Sequence, residues 1–548
     1  MHPDDLFGRD GPNQPPPFPD VDSYAADCIL REAVAREGGD WAASELHAYG
    51  TLAGGEMVAL GAQANANRPV FRPVDAHGRR IDQVDFHPAY HRLMQLGVEH
   101  GVSGFAWRNA ERPGAHVARA ALMFLHYQAE QGTSCPLTMT YACVPALQHA
   151  PALADAWLPR VIAPRYDPSH RYAAHKDGNT IGMGMTEKQG GSDVRSNRTR
   201  ARAADDGVRL TGHKWFFSAP MCDAFLVLAQ AEQGLGCYLL PRFTPDGSLN
   251  GVRIQRVKDK LGDWSNASSE VEFEDAFAWP VGDPGRGIAT ILQMVALTRL
   301  DCMVGSAALM RQALVQAVHH ARHRVAFGRR LVEQPLMRTV LADLALESEA
   351  ATALAMRAAR AVDASGRDPA EAALARAVTA LGKYWVCKRA TAFVNEAQEC
   401  LGGIGYVEDT IMPRLLRQAP LNSIWEGSGN IQCLDLLRAL QREPGVRDAL
   451  FSELTAARGA HPLLDAEVAT LARALDDTPS ADLESTARWL AERLALALQA
   501  SILLRGAPAS VAEAFCSSRL GASRGLAFGG LRDVTAIDVL LERAWLGD

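Results

Sequence analysis

The sequence lacks the features that mark several classes of protein. It contains no run of about 18 uninterrupted apolar residues, and its amino terminus has no basic segment followed by an apolar one. None of the ten cysteines forms a Cys-x-x-Cys pair, and most lie among apolar neighbours. This favours buried free thiols over disulfides or a metal site. We therefore expect a cytoplasmic protein with no membrane-spanning segment, signal peptide or bound metal ion.

The overall composition is that of a folded protein with more than one domain. A chain of 548 residues is too long for a single hydrophobic core, and its hydrophobic fraction of 48% and charged fraction of 22% are ordinary for globular proteins. The formal net charge of −7 argues against a surface coated in positive charge, although it does not exclude a local basic patch.

The hydrophobic pattern divides the chain into segments. Helical spacing prevails in stretches such as AHVARAALMFLHYQAEQG, and short β-prone runs such as AFLVLAQ and GCYLLPRF follow, separated by turn residues. A run of about 35 residues, broken only by Gly305, then predicts one long core helix. We predict an α+β chain in five segments: an extended proline-rich arm (1–20), an N-terminal helical domain (21–165), an antiparallel β-barrel or sandwich (166–285), a C-terminal four-helix bundle (286–440) and an added helical domain (441–548).

Two segments of the β domain carry groups suited to a flat polar ligand. Residues 184–193 read GMTEKQGGSD, and residues 212–218 read GHKWFFS. The glycines leave backbone N–H groups unhindered and the hydroxyls are short, which suits the edge of a heterocycle or a pyrophosphate. Phe216 and Phe217 offer rings for stacking, and Ser218 offers a hydroxyl beside them. The alternative is an ordinary hairpin with a glycine-rich turn and buried aromatics.

Three further segments lie in the helical part that follows. RHRVAFGRRL (322–331) places arginines beside a Phe-Gly break, which suits a phosphate next to a planar group, or else complements the dipole of a helix C-terminus. ECLGGIGY (399–406) has glycines that permit close approach of a ligand or another backbone. NSIWEGSGNIQCLDLLR (422–438) sets one acidic residue, Glu426, between a tryptophan and a Gly-Ser-Gly that opens a helix.

Together these five segments, in this order, resemble the acyl-CoA dehydrogenase superfamily over roughly residues 20–440. The resemblance implies FAD as the cofactor, bound between the β domain and the C-terminal helices, with part of the site supplied by a neighbouring subunit. By this resemblance the flavin ring is lined by Met185, Thr186, Ser192, Phe216 and Ser218. The diphosphate end is held by Arg324 and Phe327. The other positions expected to contribute to cofactor binding are Gly191, Phe217, Gln334, Gly402, Gly403, Trp425 and Asn430.

Glu426 falls at the position of that family's catalytic base. Such a carboxylate removes the proton α to a thioester carbonyl while the β hydride passes to flavin, which requires a pKa near neutrality. We expect a dry pocket formed by Trp425 and Ile424 to raise the pKa of Glu426, opposed by the dipole of the helix that begins here. The alternative is a glutamate that only favours a helix start.

Several positions depart from the general family pattern. Phe216 stands where most members carry tryptophan, and Ser218 where they carry threonine. Pro335 and Glu399 occupy the places of two glutamines that normally hold the ADP part of FAD across the dimer, so the usual adenine-side contacts are in question. These departures, with the added tail, resemble the AidB-like subfamily. That resemblance implies a homotetramer that carries FAD, binds double-stranded DNA non-specifically in the alkylation response, and has at best weak acyl-CoA dehydrogenase activity.

The tail by itself does not have the composition of a DNA-binding domain. From residue 442 to 548 it contains no lysine and more acidic residues than arginines. Several of its arginines nevertheless lie in a stretch with few acids, where they could meet phosphates, although the sequence alone favours a solvated helical face. The DNA-binding candidates are Arg438, Arg505, Arg519, Arg524 and Arg532. Two other functions stay open: a metabolic acyl-CoA dehydrogenase for short or branched acyl-CoA, and a DNA-shielding protein with a structural FAD.

Overall fold

The computed structural model describes residues 13–522, 525–532 and 535–546, apart from the side chains of Ser480 and Ala481. Its amino-terminal part is mainly helical, as predicted, but it also contains a hairpin that the helical pattern does not predict. The hairpin strands are only five and six residues long, and neither VFRPV nor RIDQVD strictly alternates apolar and polar residues, so they give little periodic signal. The elements are α1 (Cys28–Arg36), α2 (Ala43–Ala53), α3 (Glu56–Ala66), β1 (Val70–Val74), β2 (Arg80–Asp85), α4 (Pro88–Glu99), α5 (Phe105–Arg108), α6 (Ala115–Ala129), α7 (Ser134–Ala142), α8 (Val144–Leu147) and α9 (Pro151–Val161).

The predicted β domain forms one sheet of seven strands, which are β3 (Ile181–Gly184), β4 (Arg200–Ala204), β5 (Gly207–Ser218), β6 (Ala224–Ala231), β7 (Gly234–Pro241), β8 (Val252–Val257) and β9 (Ser268–Val281). Their order in the sheet is β3-β6-β4-β5-β9-β7, with β8 paired to β9. Because β6 also pairs with β7, the path of the sheet returns on itself, as in a barrel. Most pairs are antiparallel, as predicted, whereas β3 and β4 pair with β6 in parallel.

The long helix predicted after the sheet is confirmed. It spans 37 residues, and it is the only helix in the described part of the chain that is long and apolar enough to cross a membrane. Since 67% of its apolar stretch is buried inside the protein, it has the character of a core helix. The elements from here to residue 442 are α10 (Gly287–His323), β10 (Val325–Ala326), β11 (Arg329–Arg330), α11 (Pro335–Ala364), α12 (Pro369–Glu399), α13 (Met412–Gln418) and α14 (Gly429–Arg442).

The tail is helical, as predicted, and is joined to the preceding helices by buried ion pairs. Arg357 of α11 donates from Nη2 to Glu453 of the tail at 2.8 Å, and both side chains are largely buried. Leu490, Leu494 and Leu498 are buried along one face of the long tail helix. The tail helices are α15 (Val446–Thr455), α16 (Pro462–Asp477), α17 (Ser480–Gly506), α18 (Ala509–Phe515) and α19 (Ile537–Ala544).

The chain divides into two compact units. One comprises Met1–Gly55 and Cys302–Asp548, and the other comprises Glu56–Asp301. The first helices therefore associate with the C-terminal helices, which differs from the single amino-terminal helical domain (21–165) expected from the sequence. All ten cysteines are free, and nine of them are buried, in agreement with the expectation of buried thiols.

Candidate functional site

In the unit Glu56–Asp301, a buried ion pair joins the two glycine- and aromatic-containing segments of the β domain. Lys214 of β5 donates from Nζ to Oε1 of Glu187 at 2.7 Å and to the carbonyl of Leu228 at 2.8 Å. Glu187 also accepts from the backbone N–H of Arg198 at 2.7 Å. Neither member of the pair has an exposed side chain. The loop after β3 is therefore fixed to β5 by a charge contact inside the sheet.

The pair is charged at neutral pH. Burial alone would raise the pKa of Glu187, but the Lys214 ammonium and the surrounding donors outweigh it and lower that pKa to about 2. Burial lowers the pKa of Lys214 to about 8, against the opposing effect of Glu187. The sequence analysis did not identify this pair, although its signal is present: the acidic Glu187 lies inside one segment and the basic Lys214 inside the other.

The residues predicted to line a flavin ring lie around this pair. The backbone N–H of Trp215 donates to the carbonyl of Thr186 at 2.8 Å, which sets the loop beside the strand that carries Phe216. The Phe216 ring is 51% exposed, and the Lys258 ammonium lies 4.4 Å from its centre. Ser218 Oγ lies 3.2 Å from Ser268 Oγ. The structure thus places Thr186, on the loop, close to Phe216, on β5.

The other predicted residues of this loop are accessible. Met185 and Thr186 are half-buried, while Gly191 and Ser192 are exposed. A Cβ at Gly191 would lie 3.1 Å from Thr186 Oγ1, so the glycine leaves room for the threonine hydroxyl. The carbonyl of Met185 accepts from Asn197 Nδ2 at 2.9 Å, which orders the beginning of the loop.

The prediction for Phe217 is wrong. Its ring has no exposed surface and lies 4.2 Å, centre to centre, from the Phe225 ring, with Phe273 at 6.2 Å. Successive side chains of a strand point to opposite faces of the sheet, so Phe216 and Phe217 do not both face a cofactor. Phe217 belongs to the core of the sheet.

In the other unit, Phe327 lies at the tip of the short hairpin formed by β10 and β11. It has φ +52° and its neighbour Gly328 has φ +78°, and the phenyl ring is 101% exposed. Arg324 donates from Nη1 to the carbonyl of Asn13 at 2.7 Å. Gln334 donates from Nε2 to the carbonyl of Ala326 at 3.0 Å, so its amide group already holds the base of this hairpin.

The Gly-Gly segment after α12 leaves open space. A Cβ at Gly402 or Gly403 would meet nothing within 4 Å, and Gly402 has φ +64°. Gln398 is buried and donates from Nε2 to the carbonyl of Gly405 at 2.8 Å. Glu399, at the place of the family glutamine, is exposed.

Glu426 lies in a strained turn just before α14. It is half-buried, with φ +57°, and Gly427 follows with φ +97°. Trp425 donates from Nε1 to Asn422 Oδ1 at 2.9 Å, which fixes the orientation of the indole. Ile424 is 62% exposed. The expected apolar pocket of Trp425 and Ile424 is therefore not formed within this unit, because Ile424 points outward.

Asn430, in the first turn of α14, is held by the tail. Arg488 of α17 donates from Nε to Asn430 Oδ1 at 2.7 Å. The sequence analysis did not identify Arg488, because nothing in the sequence pattern pairs a position of the tail with a residue 58 positions before it.

The candidate DNA-binding arginines are not equivalent. The prediction for Arg519 is wrong, because its guanidinium is bound by Asp343 and Glu347 of α11 and its side chain is only 14% exposed. Arg505 is paired with Glu453. Arg438 and Arg532 are exposed and have no ion-pair partner within the described part of the chain. Arg524 lies outside the described residues. No group of three or more potential metal ligands occurs where the structure is described.

Comparisons with known proteins agree with this arrangement. Residues 13–168 match the adaptive response protein AidB N-terminal domain, residues 182–276 the acyl-CoA dehydrogenase middle domain, and residues 285–441 the acyl-CoA dehydrogenase C-terminal domain. The putative acyl-CoA dehydrogenase AidB of Escherichia coli is 47% identical over 517 residues, which cover 94% of this chain and 95% of that protein. Acyl-CoA dehydrogenase family member 11 of Caenorhabditis elegans is 32% identical, over 80% of this chain and 73% of that one.

Solved structures show the same fold. The crystal structure of Caenorhabditis elegans ACDH-11 in complex with C11-CoA has a TM-score of 0.86 at 29% identity and covers 95% of both chains. Butyryl-CoA dehydrogenase from Megasphaera elsdenii, at 20% identity, has a TM-score of 0.57 over 76% of this chain and 98% of that one, which shows the fold alone. By its three matching domains and its identity to a full-length relative, the chain belongs to the acyl-CoA dehydrogenase family of FAD-dependent oxidoreductases, in the AidB-like branch.

Proposed function

We propose that this protein is a flavoprotein of the DNA alkylation response that binds double-stranded DNA without sequence preference and retains a weak α,β-dehydrogenation of acyl-CoA. The observation that carries the enzymatic part is Glu426. It is held at a positive φ in the turn before α14, a conformation that costs energy for a residue other than glycine. A glutamate that only favoured a helix start would not need this conformation.

In the proposed reaction, the Glu426 carboxylate accepts the proton α to the thioester carbonyl. FAD, when bound, supplies the acceptor for the hydride that leaves the β carbon. The carboxylate must lie within hydrogen-bond reach of that proton. Its fixed backbone limits the positions that the carboxylate can reach, which favours one alignment with the substrate.

The residues present fit FAD. On β5 and its neighbouring loop, the exposed ring of Phe216 offers a stacking surface, and the hydroxyls of Thr186 and Ser218 lie on the same segments. On the hairpin of the other unit, the fully exposed Phe327 offers an aromatic ring that a planar group can contact. The open space at Gly402 and Gly403 permits a ligand to approach the backbone.

An acyl-CoA is the proposed substrate class. The relative with the TM-score of 0.86 is described in complex with C11-CoA, and this chain covers nearly all of it. The similarity of fold over both chains supports a long acyl-CoA as a ligand. We further propose that the protein is a homotetramer, in which a second copy covers the hairpin that carries the exposed Phe327. A cytoplasmic location is also part of the proposal.

The DNA-binding part rests on the AidB relationship and on the exposed arginines. A relative that is 47% identical over nearly the whole chain bears the AidB name, and the matching amino-terminal domain is that of an adaptive response protein. Arg438 and Arg532 are the described candidates whose guanidinium groups are free to meet phosphates.

The experiment that tests the enzymatic proposal is anaerobic titration of the FAD-loaded protein with C11-CoA. We expect slow loss of the oxidised flavin absorbance band. Failure of C11-CoA and shorter acyl-CoAs to reduce the flavin, with FAD stably bound, would instead support the DNA-shielding protein with a structural FAD.

A metabolic acyl-CoA dehydrogenase is the second candidate. It is favoured by two ion pairs within the protein, Arg505 with Glu453 and Arg519 with Asp343. These pairs engage two of the arginines that were expected to bind DNA. Rapid reduction of the flavin by an acyl-CoA, without salt-sensitive binding to DNA, would support this alternative.

A further inference from the structure

A buried lysine contacts the backbone on both sides of Glu426. Lys383 lies in the middle of α12, which packs along α14, and its side chain is 1% exposed. Its Nζ donates to the carbonyl of Trp425 at 2.7 Å and to the carbonyl of Gly427 at 2.6 Å. Within the described residues, Lys383 has no carboxylate at ion-pair distance, so these carbonyls are its acceptors.

A second side chain completes the arrangement. Gln432, in the first turn of α14, is also 1% exposed. It donates from Nε2 to the carbonyl of Glu426 at 3.1 Å and to the carbonyl of Gly427 at 3.0 Å. The carbonyls of three successive residues, Trp425, Glu426 and Gly427, are therefore held by two buried side chains.

These contacts act on a backbone that would not adopt its conformation unaided. Glu426 and Gly427 have φ +57° and +97°, and a glutamate in the left-handed region is disfavoured by its own Cβ. Such strain persists where the surrounding structure over-determines it, and it is concentrated at functional sites. Lys383 is suited to this task because an ammonium group is a compact charge with three donors.

The charge of Lys383 is itself costly. A cation removed from water without a carboxylate partner loses its hydration, and carbonyl dipoles replace that hydration only in part. A methionine would fill a similar volume without this loss. A charged group at this position therefore calls for a role that an apolar side chain cannot perform.

We infer that Lys383 is a positioning residue, which together with Gln432 fixes the turn that aims the Glu426 carboxylate at the substrate. This inference rests on the proposed function, because the benefit of the fixed turn lies in proton removal by Glu426. Misplacement of a reacting group by about 1 Å is enough to lower a rate by about 10²-fold. Loss of Lys383 should therefore slow the chemical step and leave binding of acyl-CoA nearly unchanged.

The test compares Lys383→Met with Lys388→Met, an exposed lysine five positions further along the same helix. Hydrogen exchange is measured by mass spectrometry on peptides that cover residues 421–432. The limiting rate of flavin reduction and the dissociation constant for C11-CoA are measured anaerobically on the FAD-loaded proteins. We expect faster exchange in this segment and a reduction rate at least about 10-fold lower for Lys383→Met, with a dissociation constant changed less than about threefold. Lys388→Met should behave as the parent.

Two further variants test the same contacts to the turn. Gln432→Leu removes the second set of contacts without placing an empty site around Lys383, and it decides the question if Lys383→Met does not fold. Lys383→Arg, which keeps the charge and donors, should recover part of the lost rate. Unchanged exchange over residues 421–432, or an unchanged reduction rate, in folded Lys383→Met would overturn the inference.

The outcome also separates this inference from the proposed function. If C11-CoA does not reduce the flavin of the parent protein, the proposed dehydrogenation fails. Faster exchange confined to residues 421–432 in Lys383→Met would then still show that Lys383 fixes the turn. The catalytic benefit of the fixed turn would be refuted together with the dehydrogenation.

Discussion

The Lys214 ammonium donates to Glu187 Oε1 at 2.7 Å inside the β domain, and this contact joins the strand that carries Phe216 to the loop that carries Thr186. The two residues lie 27 positions apart, so the pair connects two sequence segments that are not adjacent along the chain. Because both side chains are fully buried, loss of either leaves the other charge without its partner in a medium of low dielectric.

The first prediction concerns this pair. Lys214→Met should lower the free energy of unfolding by about 3–5 kcal/mol, because it leaves the Glu187 carboxylate uncompensated. FAD content should fall with it, since the loop at Thr186 loses its anchor. Urea unfolding and the flavin-to-protein absorbance ratio measure the two effects.

The exposed pair of Arg202 and Asp275 gives a matched control. Their side chains are 70% and 65% exposed, so Arg202→Met should cost less than about 1 kcal/mol. The double variant Lys214→Met/Glu187→Leu should be more stable than Lys214→Met alone, because neither charge is then buried. Equal losses in the buried and exposed single variants would contradict the special role of the pair.

A pH dependence follows from the same contact. The pKa of Glu187 is lowered from 4.5 to about 2. Because the folded pKa is the lower one, the stabilisation is fully present above pH 4.5 and is lost as the pH falls towards 2. The urea midpoint of the parent should therefore decrease more steeply in this window than that of Glu187→Gln. Parallel curves for the two proteins would show that Glu187 is not responsible.

The third prediction separates two adjacent aromatic residues. Phe217→Ala should cost about 3–5 kcal/mol of stability, because it leaves a cavity in the core of the sheet. Phe216→Ala should cost much less, because its ring is half exposed, but it should lower the affinity for FAD. FAD content and urea midpoints are measured on both variants. Loss of FAD in Phe217→Ala at unchanged stability would reverse the assignment.

Much of the fold was predictable from the sequence because the periodic signals are long. The helix Gly287–His323 has 37 residues and few breakers, and the strands of the β domain are separated by strong turn residues. The hairpin β1–β2 lacks such a signal, because its strands are short and do not strictly alternate apolar and polar residues. Their sequences therefore cannot be distinguished from those of the helical segments on either side.

The site was predictable where a role depends on residue type, and not where it depends on contacts between distant positions. Glu426 and Phe216 follow from their motifs. The burial of Phe217 follows from strand alternation, because Phe216 and Phe217 are adjacent in β5 and only one of them can face outward. The burial of Arg519 between Asp343 and Glu347 joins residues more than 170 positions apart, so no local pattern contains it.

The fourth prediction concerns the proposed base. Glu426→Gln should leave FAD bound and lower the rate of flavin reduction by C11-CoA by at least about 10²-fold, because the amide cannot accept the proton. Anaerobic stopped-flow measurement of the flavin band gives the rate. Glu408→Gln, which changes a glutamate that is 65% exposed, should reduce as the parent does. Reduction by Glu426→Gln at the parental rate would remove Glu426 from the chemistry.

The last prediction concerns DNA. Each neutralised phosphate contributes about −0.9 to the slope of log affinity against log salt. If Arg438 and Arg532 both meet phosphates, Arg438→Ala/Arg532→Ala should flatten that slope by roughly 2 and weaken binding to unrelated duplexes alike. Arg202→Ala, which removes one exposed positive charge from the β domain, should leave the slope unchanged and controls for the loss of an arginine outside the proposed DNA surface. Fluorescence anisotropy with labelled duplexes at several salt concentrations measures both quantities.

Since the net charge of the chain is −7, the diffuse field repels DNA and only a local patch can attract it. A parental slope that survives in the double variant would therefore place the DNA surface on other residues, and the absence of salt-sensitive binding by the parent would favour the metabolic dehydrogenase.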